Sequence, residues 1–173
     1  MNLGYDKALY LLPFDHRQSY VTDMFHFKTP LDATQRTQVI DSKQLIYEGF
    51  GQALTQGVPF DAAGILVDEQ FGAAILRDAR PRGCVTALSV EQSGADEFEF
   101  EYGVDFARHI AAFDPTFAKV LVRYNPESNP ALNRPYEPAS HDAQPAQHAD
   151  RLSRHSSSRE LELPDESVVR LGG

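Results

Sequence analysis

Four compact apolar runs alternate along the chain with longer stretches of helical periodicity. Leu9–Phe14 is apolar throughout, ends in Asp15-His16-Arg17, and predicts a strand. Thr34–Gln56 follows, with Val39, Leu45, Ile46, Phe50 and Leu54 near helical spacing. Asp32 or Thr34 is placed to cap it, and Gly57 to end it. Ala62–Val67 predicts a second strand, stopped by Asp68-Glu69, and Phe71–Ala79 a short helix closed by Pro81 and Gly83. Cys84–Val90 predicts a third strand, stopped by Glu91, and Asp105–Phe113 an amphipathic helix. Ala118–Tyr124 predicts a fourth strand, stopped by Asn125-Pro126.

Strand and helix in strict alternation imply βαβ units and a parallel sheet. The near-continuous apolar strands suit a sheet covered on both faces. Polar residues gather where each strand ends: Asp15 and Arg17, Asp68 and Glu69, Glu91, then Arg123 and Asn125. The carboxyl ends of parallel strands are where α/β folds carry chemistry, so these residues form one candidate rim.

Strand alternation sharpens that list. Lys119, Leu121, Arg123 and Asn125 share one face of the fourth strand, opposite Val120, Val122 and Tyr124. The apolar face suits packing on helices, which turns Lys119 toward the sheet's other side. An ion pair with Glu91 or Glu69 is the structural alternative for that lysine. Asp15 and Arg17 share a face, while His16 falls on the opposite one and reads as a packed histidine. Glu69 shares a face with Ile65 and Val67, which leaves open whether Asp68 or Glu69 points to the rim. Glu91 continues the face of Val85, Ala87 and Ser89, whose small side chains leave space. Lys7, Lys28 and Lys43 read as solvated.

The composition changes near Arg134. Residues 1–134 hold all four lysines, whereas residues 135–173 hold none, are rich in Ser and Pro, and carry half of the six histidines. So few large apolar groups cannot offset the entropy of ordering a segment, which predicts a low-order tail over 135–173 apart from a short helix around His148–Arg159. The tail histidines His141, His148 and His155 have no zinc-site spacing. Formal net charge is −9, a field that repels phosphate backbones and argues against nucleic acid as a partner. Cys84 is the single cysteine, which excludes an intrachain disulfide and fits a reducing, cytoplasmic setting. No apolar run approaches membrane-spanning length, and Met1–Lys7 lacks the order of a secretory signal.

Four stretches taken together, Tyr10–Arg17 (YLLPFDHR), Gly64–Gly72 (GILVDEQFG), Glu99–Gly103 (EFEYG) and Lys119–Glu127 (KVLVRYNPE), resemble the aldolase-type domain of bacterial inositol catabolism, domain of unknown function 2090. That domain occurs alone or fused behind a sugar kinase, and is similar in turn to the tagatose-bisphosphate aldolases. The start at Met1 looks like a standalone member. The resemblance implies a (β/α) barrel of eight strands. It also implies retro-aldol cleavage of 2-deoxy-5-keto-gluconate 6-phosphate to dihydroxyacetone phosphate and malonate semialdehyde, through a Schiff-base lysine and without a metal or other cofactor.

The apolar pattern supplies about four βα units, a partial barrel over 1–134. The family's later strands, with the imine-forming lysine and the phosphate site, have no counterpart in residues 135–173. The tail resembles out-of-frame translation, so a truncated, inactive product is expected. By resemblance Asp15, Arg17, Glu69 and Lys119 are catalytic, with Lys119 an electrostatic partner of the reaction. Asp68, Glu91, Arg123 and Asn125 are assigned to the phosphorylated sugar-acid substrate. Two other readings stand beside this one: a non-catalytic half-barrel, and a metal-dependent carbohydrate-phosphate enzyme using Asp15, Asp68, Glu69 and Glu91 for Mg²⁺. A half-barrel leaves strands one and four with open edges, which predicts self-association.

Overall fold

The computed structural model describes residues 5–95 and 98–121 and the backbone of Ser167–Arg170. Strands β1 (Tyr10–Pro13), β2 (Ala63–Asp68), β3 (Val85–Ser89) and β4 (Phe117–Val120) lie in sequence order and pair in parallel. Helices α1 (Ala33–Thr55), α2 (Glu69–Ala79) and α3 (Phe106–Phe113) connect them, which is the expected partial α/β architecture with parallel strands. Asp32 caps α1 through a reciprocal capping box with Gln35, satisfying donors that the first helical turn leaves unpaired. Asp68 ends β2 and caps α2 by accepting from the Phe71 amide at 2.8 Å.

A fifth strand, β5 (Ser167–Arg170), runs antiparallel to β4, with Phe117 opposite Arg170 and Val120 opposite Ser167. The sequence pattern does not announce it, and it changes one expectation. The β4 edge, expected to be open, is paired. The outer edge of β1 has no strand partner among the described residues, and Tyr10 there is 75% exposed. The remainder of the tail, including the helix expected around His148–Arg159, lies outside the described residues.

Apolar clusters pack on both faces of the sheet, and β2 is buried along its whole length. Ile65, Val67, Leu88 and Ala118 pack against Ile75, Leu76, Phe106 and Ile110 from the helices. On the other face Leu66, Ala87 and Phe117 form a second cluster with Tyr5, Leu9, Leu11 and Val85. Strand alternation carries this second face forward to Ser89, Glu91 and Lys119. The functional residues therefore rise from the side of the sheet opposite the helical layer. Among the described residues, no helix is long and apolar enough to cross a membrane.

Candidate functional site

The register of β3 and β4 sets Ser89 directly beside Lys119. The Lys119 ammonium, buried on this inner face, donates to Asp15 Oδ2 and to Glu91 Oε1, each at 3.2 Å. Ser89 Oγ donates to the same Asp15 oxygen at 2.5 Å. Arg17 completes the cluster from the segment after β1. Its Nη2 meets Glu91 Oε1 at 2.9 Å, and its Nη1 donates to the Glu91 carbonyl at 2.6 Å and to Glu101 Oε2 at 3.1 Å. Two cations and three carboxylates thus interlock where β1, β3 and β4 end.

The segment after β3 folds back to support this cluster. Glu91 forms an antiparallel bridge with Phe100, and the Gln92 amide donates to the Glu99 carbonyl at 2.7 Å. That return brings Glu101 onto Arg17. A cavity of about 440 Å³ opens above, lined by Asp15, Arg17, Glu91 and Lys119 and by the exposed Asp23 and Glu99. His16 also lines it and is exposed, so its expected packing into the core is corrected: β1 ends at Pro13, and strand alternation no longer governs it.

The charges set the protonation of the pair. Burial alone raises the Asp15 pKa, but the Ser89 hydrogen bond and the Lys119 charge outweigh it and hold the carboxyl below its ordinary value. Burial alone lowers the Lys119 pKa, but Asp15 and Glu91 outweigh it and hold the amine above its ordinary value. Lys119 is therefore an ammonium at neutral pH: a donor and a fixed positive charge, not a nucleophile.

The other assigned residues lie elsewhere. Asp68 is wholly buried, and its second carboxylate oxygen pairs with Lys43. Glu69 turns to the helical side, as Ile65 and Val67 do, and both its oxygens lie near His109 Nδ1 at 2.9 and 3.0 Å. Tyr102 stacks on the His109 ring with centroids 3.5 Å apart. Glu69 thus belongs to a separate cluster on α3, and neither Asp68 nor Glu69 lines the cavity. The open choice between them resolves to neither. Arg123 and Asn125 lie outside the described residues. The proposed Mg²⁺ set does not converge: among the described residues, no group of three or more His, Cys, Asp or Glu side chains is arranged to hold a metal ion.

Lys43 is a further correction. It is 1% exposed on α1, where a solvated role was expected. Its ammonium bonds Asp68 and donates to the Phe14 carbonyl at 2.8 Å, beneath the rings of Tyr20 and Phe71. Burial pulls its pKa below the ordinary lysine value, and Asp68 only partly opposes this. The signal was present in the spacing: Val39, Lys43, Ile46 and Phe50 fall at i, i+4, i+7 and i+11, so Lys43 occupies the apolar stripe. Ser89 and Glu101 were also not singled out as polar partners, although Ser89 shares the alternation face of Glu91.

Fold and site together define a parallel α/β protein with a charged, partly enclosed rim at its strand ends. The chain belongs to the family described as "Uncharacterized protein conserved in bacteria (DUF2090)", whose model matches residues 4–162. The match continues past Glu127, where the last resembling stretch ends, and past Arg134, where the composition changes. No curated protein and no solved structure matches the chain.

Proposed function

We propose that this chain carries the substrate-orienting and proton-handling part of a carbon–carbon lyase site of the class I aldolase kind. The substrate proposed from the family resemblance is 2-deoxy-5-keto-gluconate 6-phosphate, split into dihydroxyacetone phosphate and malonate semialdehyde. In that cleavage the C3 hydroxyl loses its proton and becomes the aldehyde. The C3–C4 bond breaks, and its electron pair moves toward the C5 carbonyl, leaving an enolate that is reprotonated at C4. A carboxylate of the Asp15–Glu91 pair is suited to take the hydroxyl proton. Lys119 spends two of its three N–H donors on that pair, and the third, without a partner among the described residues, is suited to an oxygen that becomes negative.

The single observation that carries this reading is the Lys119 ammonium held between two carboxylates at a cavity wall. It also defines what the chain does not contribute. Lys43 is sealed against Asp68 and Lys119 is held protonated, while Lys7 and Lys28 are exposed and do not line the cavity, so none of the four lysines is a free amine at this site. On this reading the chain alone binds the keto acid phosphate and does not cleave it through an imine. A non-catalytic binding role is the second reading, favoured by the pairing of both Arg17 and Lys119 with carboxylates.

Calorimetric titration of the purified chain with the keto acid phosphate, alongside an enzymatic assay for released dihydroxyacetone phosphate, tests the proposal. We expect binding that weakens about tenfold or more in Lys119→Met and Asp15→Asn, with no triose phosphate released. Binding indifferent to both substitutions overturns the assignment of this rim.

A further inference from the structure

Glu69 and Tyr102 stand outside the cavity, yet the structure joins them to it. Glu101 and Tyr102 are consecutive and engage different partners. Glu101 Oε2 accepts from Arg17 Nη1 at 3.1 Å and from the Ser93 amide at 3.3 Å. Tyr102 lies flat on the His109 ring, with the two planes 4° apart. Phe100 stacks in the same way on Phe106, with centroids 4.0 Å apart. Phe106 and His109 are one turn apart on α3, so they present neighbouring rings on one face of that helix. The segment after β3 is thus seated on α3 by two ring stacks.

These stacks are local in sequence, and Glu69 adds the long-range link. It opens α2 directly after β2, and both its oxygens meet His109 Nδ1 across 40 residues of chain. Burial first, then the Glu69 and Glu101 charges, push the Tyr102 phenol up to about 12, which keeps it a neutral donor at physiological pH. At the other end of the relay, Arg17 lines the cavity. A guanidinium held by several bonds presents one fixed geometry to a ligand.

We propose that Glu69, His109 and Tyr102 are positioning residues for the cavity: Glu69 holds His109, His109 seats Tyr102, and Tyr102 places Glu101 on Arg17. Neither these three nor Glu101 lines the cavity, so all of them act through Arg17. The consequence for a ligand rests on reading the cavity as the ligand site. The link from Glu69 to Arg17 does not.

The Arg17 guanidinium resonances in a nitrogen-15 spectrum of the whole chain test this link without a ligand. In the wild type, the bonds to Glu91 and Glu101 are expected to slow rotation of the guanidinium group. Glu69→Ala and His109→Ala are each expected to speed that rotation about tenfold, as the loss of a hydrogen bond to a charged group does. Glu101→Gln is expected to do the same, and its combination with Glu69→Ala to add nothing. Glu69→Gln keeps an acceptor oxygen for the His109 N–H and is expected to restore the wild-type signals. Wild-type rotation in folded Glu69→Ala and His109→Ala overturns the inference, as does an additive change in the double variant. Failure of both single variants to fold also overturns it, because the cluster then serves the whole fold. Titration with 2-deoxy-5-keto-gluconate 6-phosphate separates this inference from the cavity reading. Affinity that changes in step with Arg17 across the variants supports both. Affinity unchanged while Arg17 responds overturns the positioning role in ligand binding. A wild-type chain that does not bind, while Arg17 responds to Glu69→Ala, overturns the cavity reading alone.

Discussion

Lys119 Nζ lies 3.2 Å from Asp15 Oδ2, although 104 residues separate them in sequence. The pair makes stability depend on pH at both ends of the scale. Asp15 is depressed below its ordinary value of 3.8, so its contribution is present above that pH and lost as pH falls through the folded value. Lys119 is raised above 10.5, so its contribution is present below that pH and lost as pH rises through the folded value. Urea midpoints measured against pH are expected to fall in both windows. Asp15→Asn should remove its share of the acid arm, and Lys119→Met its share of the alkaline arm.

Breaking the Lys43–Asp68 pair should be severe. Lys43→Met leaves the Asp68 carboxylate buried and unpaired, and a loss of about 3–5 kcal/mol is expected in denaturant unfolding. The double variant Lys43→Met/Asp68→Asn should recover part of this loss. It removes the stranded charge, and asparagine retains an oxygen for the Phe71 amide.

Gly64 marks the closest approach between β2 and its neighbours. A Cβ there would lie 2.7 Å from the Val85 carbonyl oxygen and 2.8 Å from Leu11 Cδ2. Gly64→Ala is expected to lower stability by about 1–3 kcal/mol. Gly49→Ala, in the middle of α1 with nothing within 4 Å of the new methyl, should instead raise it by about 0.4–1 kcal/mol. Thermal melts of the two variants should therefore move in opposite directions.

Cys84 should behave as a core residue. It is 4% exposed, and burial pushes its thiol up to about 11. Reaction with an aromatic disulfide reagent at neutral pH is expected to be slow in the folded chain and fast in denaturant. Rapid labelling without denaturant would contradict this packing.

Periodicity served well where it was long or strictly alternating. Helical spacing located α1 and proposed Asp32 or Thr34 as its cap, and the cap is Asp32. Strand parity placed Ser89, Glu91 and Lys119 on one face, and of the two ion-pair partners left open for Lys119, Glu91 or Glu69, the structure pairs it with Glu91. Parity held for Glu69, which lies on the side of Ile65 and Val67, but it does not show that β2 stops at Asp68 and that Asp68 caps α2, so it left open which of the two reaches the rim. Scoring only apolar residues put Leu45 inside α1's packed face and Lys43 outside it. Leu45 is in fact 69% exposed and Lys43 1%, because a carboxylate 25 residues away makes the buried ammonium tolerable. β5 is four residues long and gains its order from pairing with β4, which no local pattern encodes.

The central claim is that Lys119 acts as a fixed ammonium and that no lysine of this chain forms an imine. The direct measurement is borohydride reduction of the chain in the presence of the keto acid phosphate, followed by intact mass and peptide mapping. The account predicts an unchanged mass at neutral pH. A reduced adduct on Lys119, or on any of the other three lysines, would contradict it.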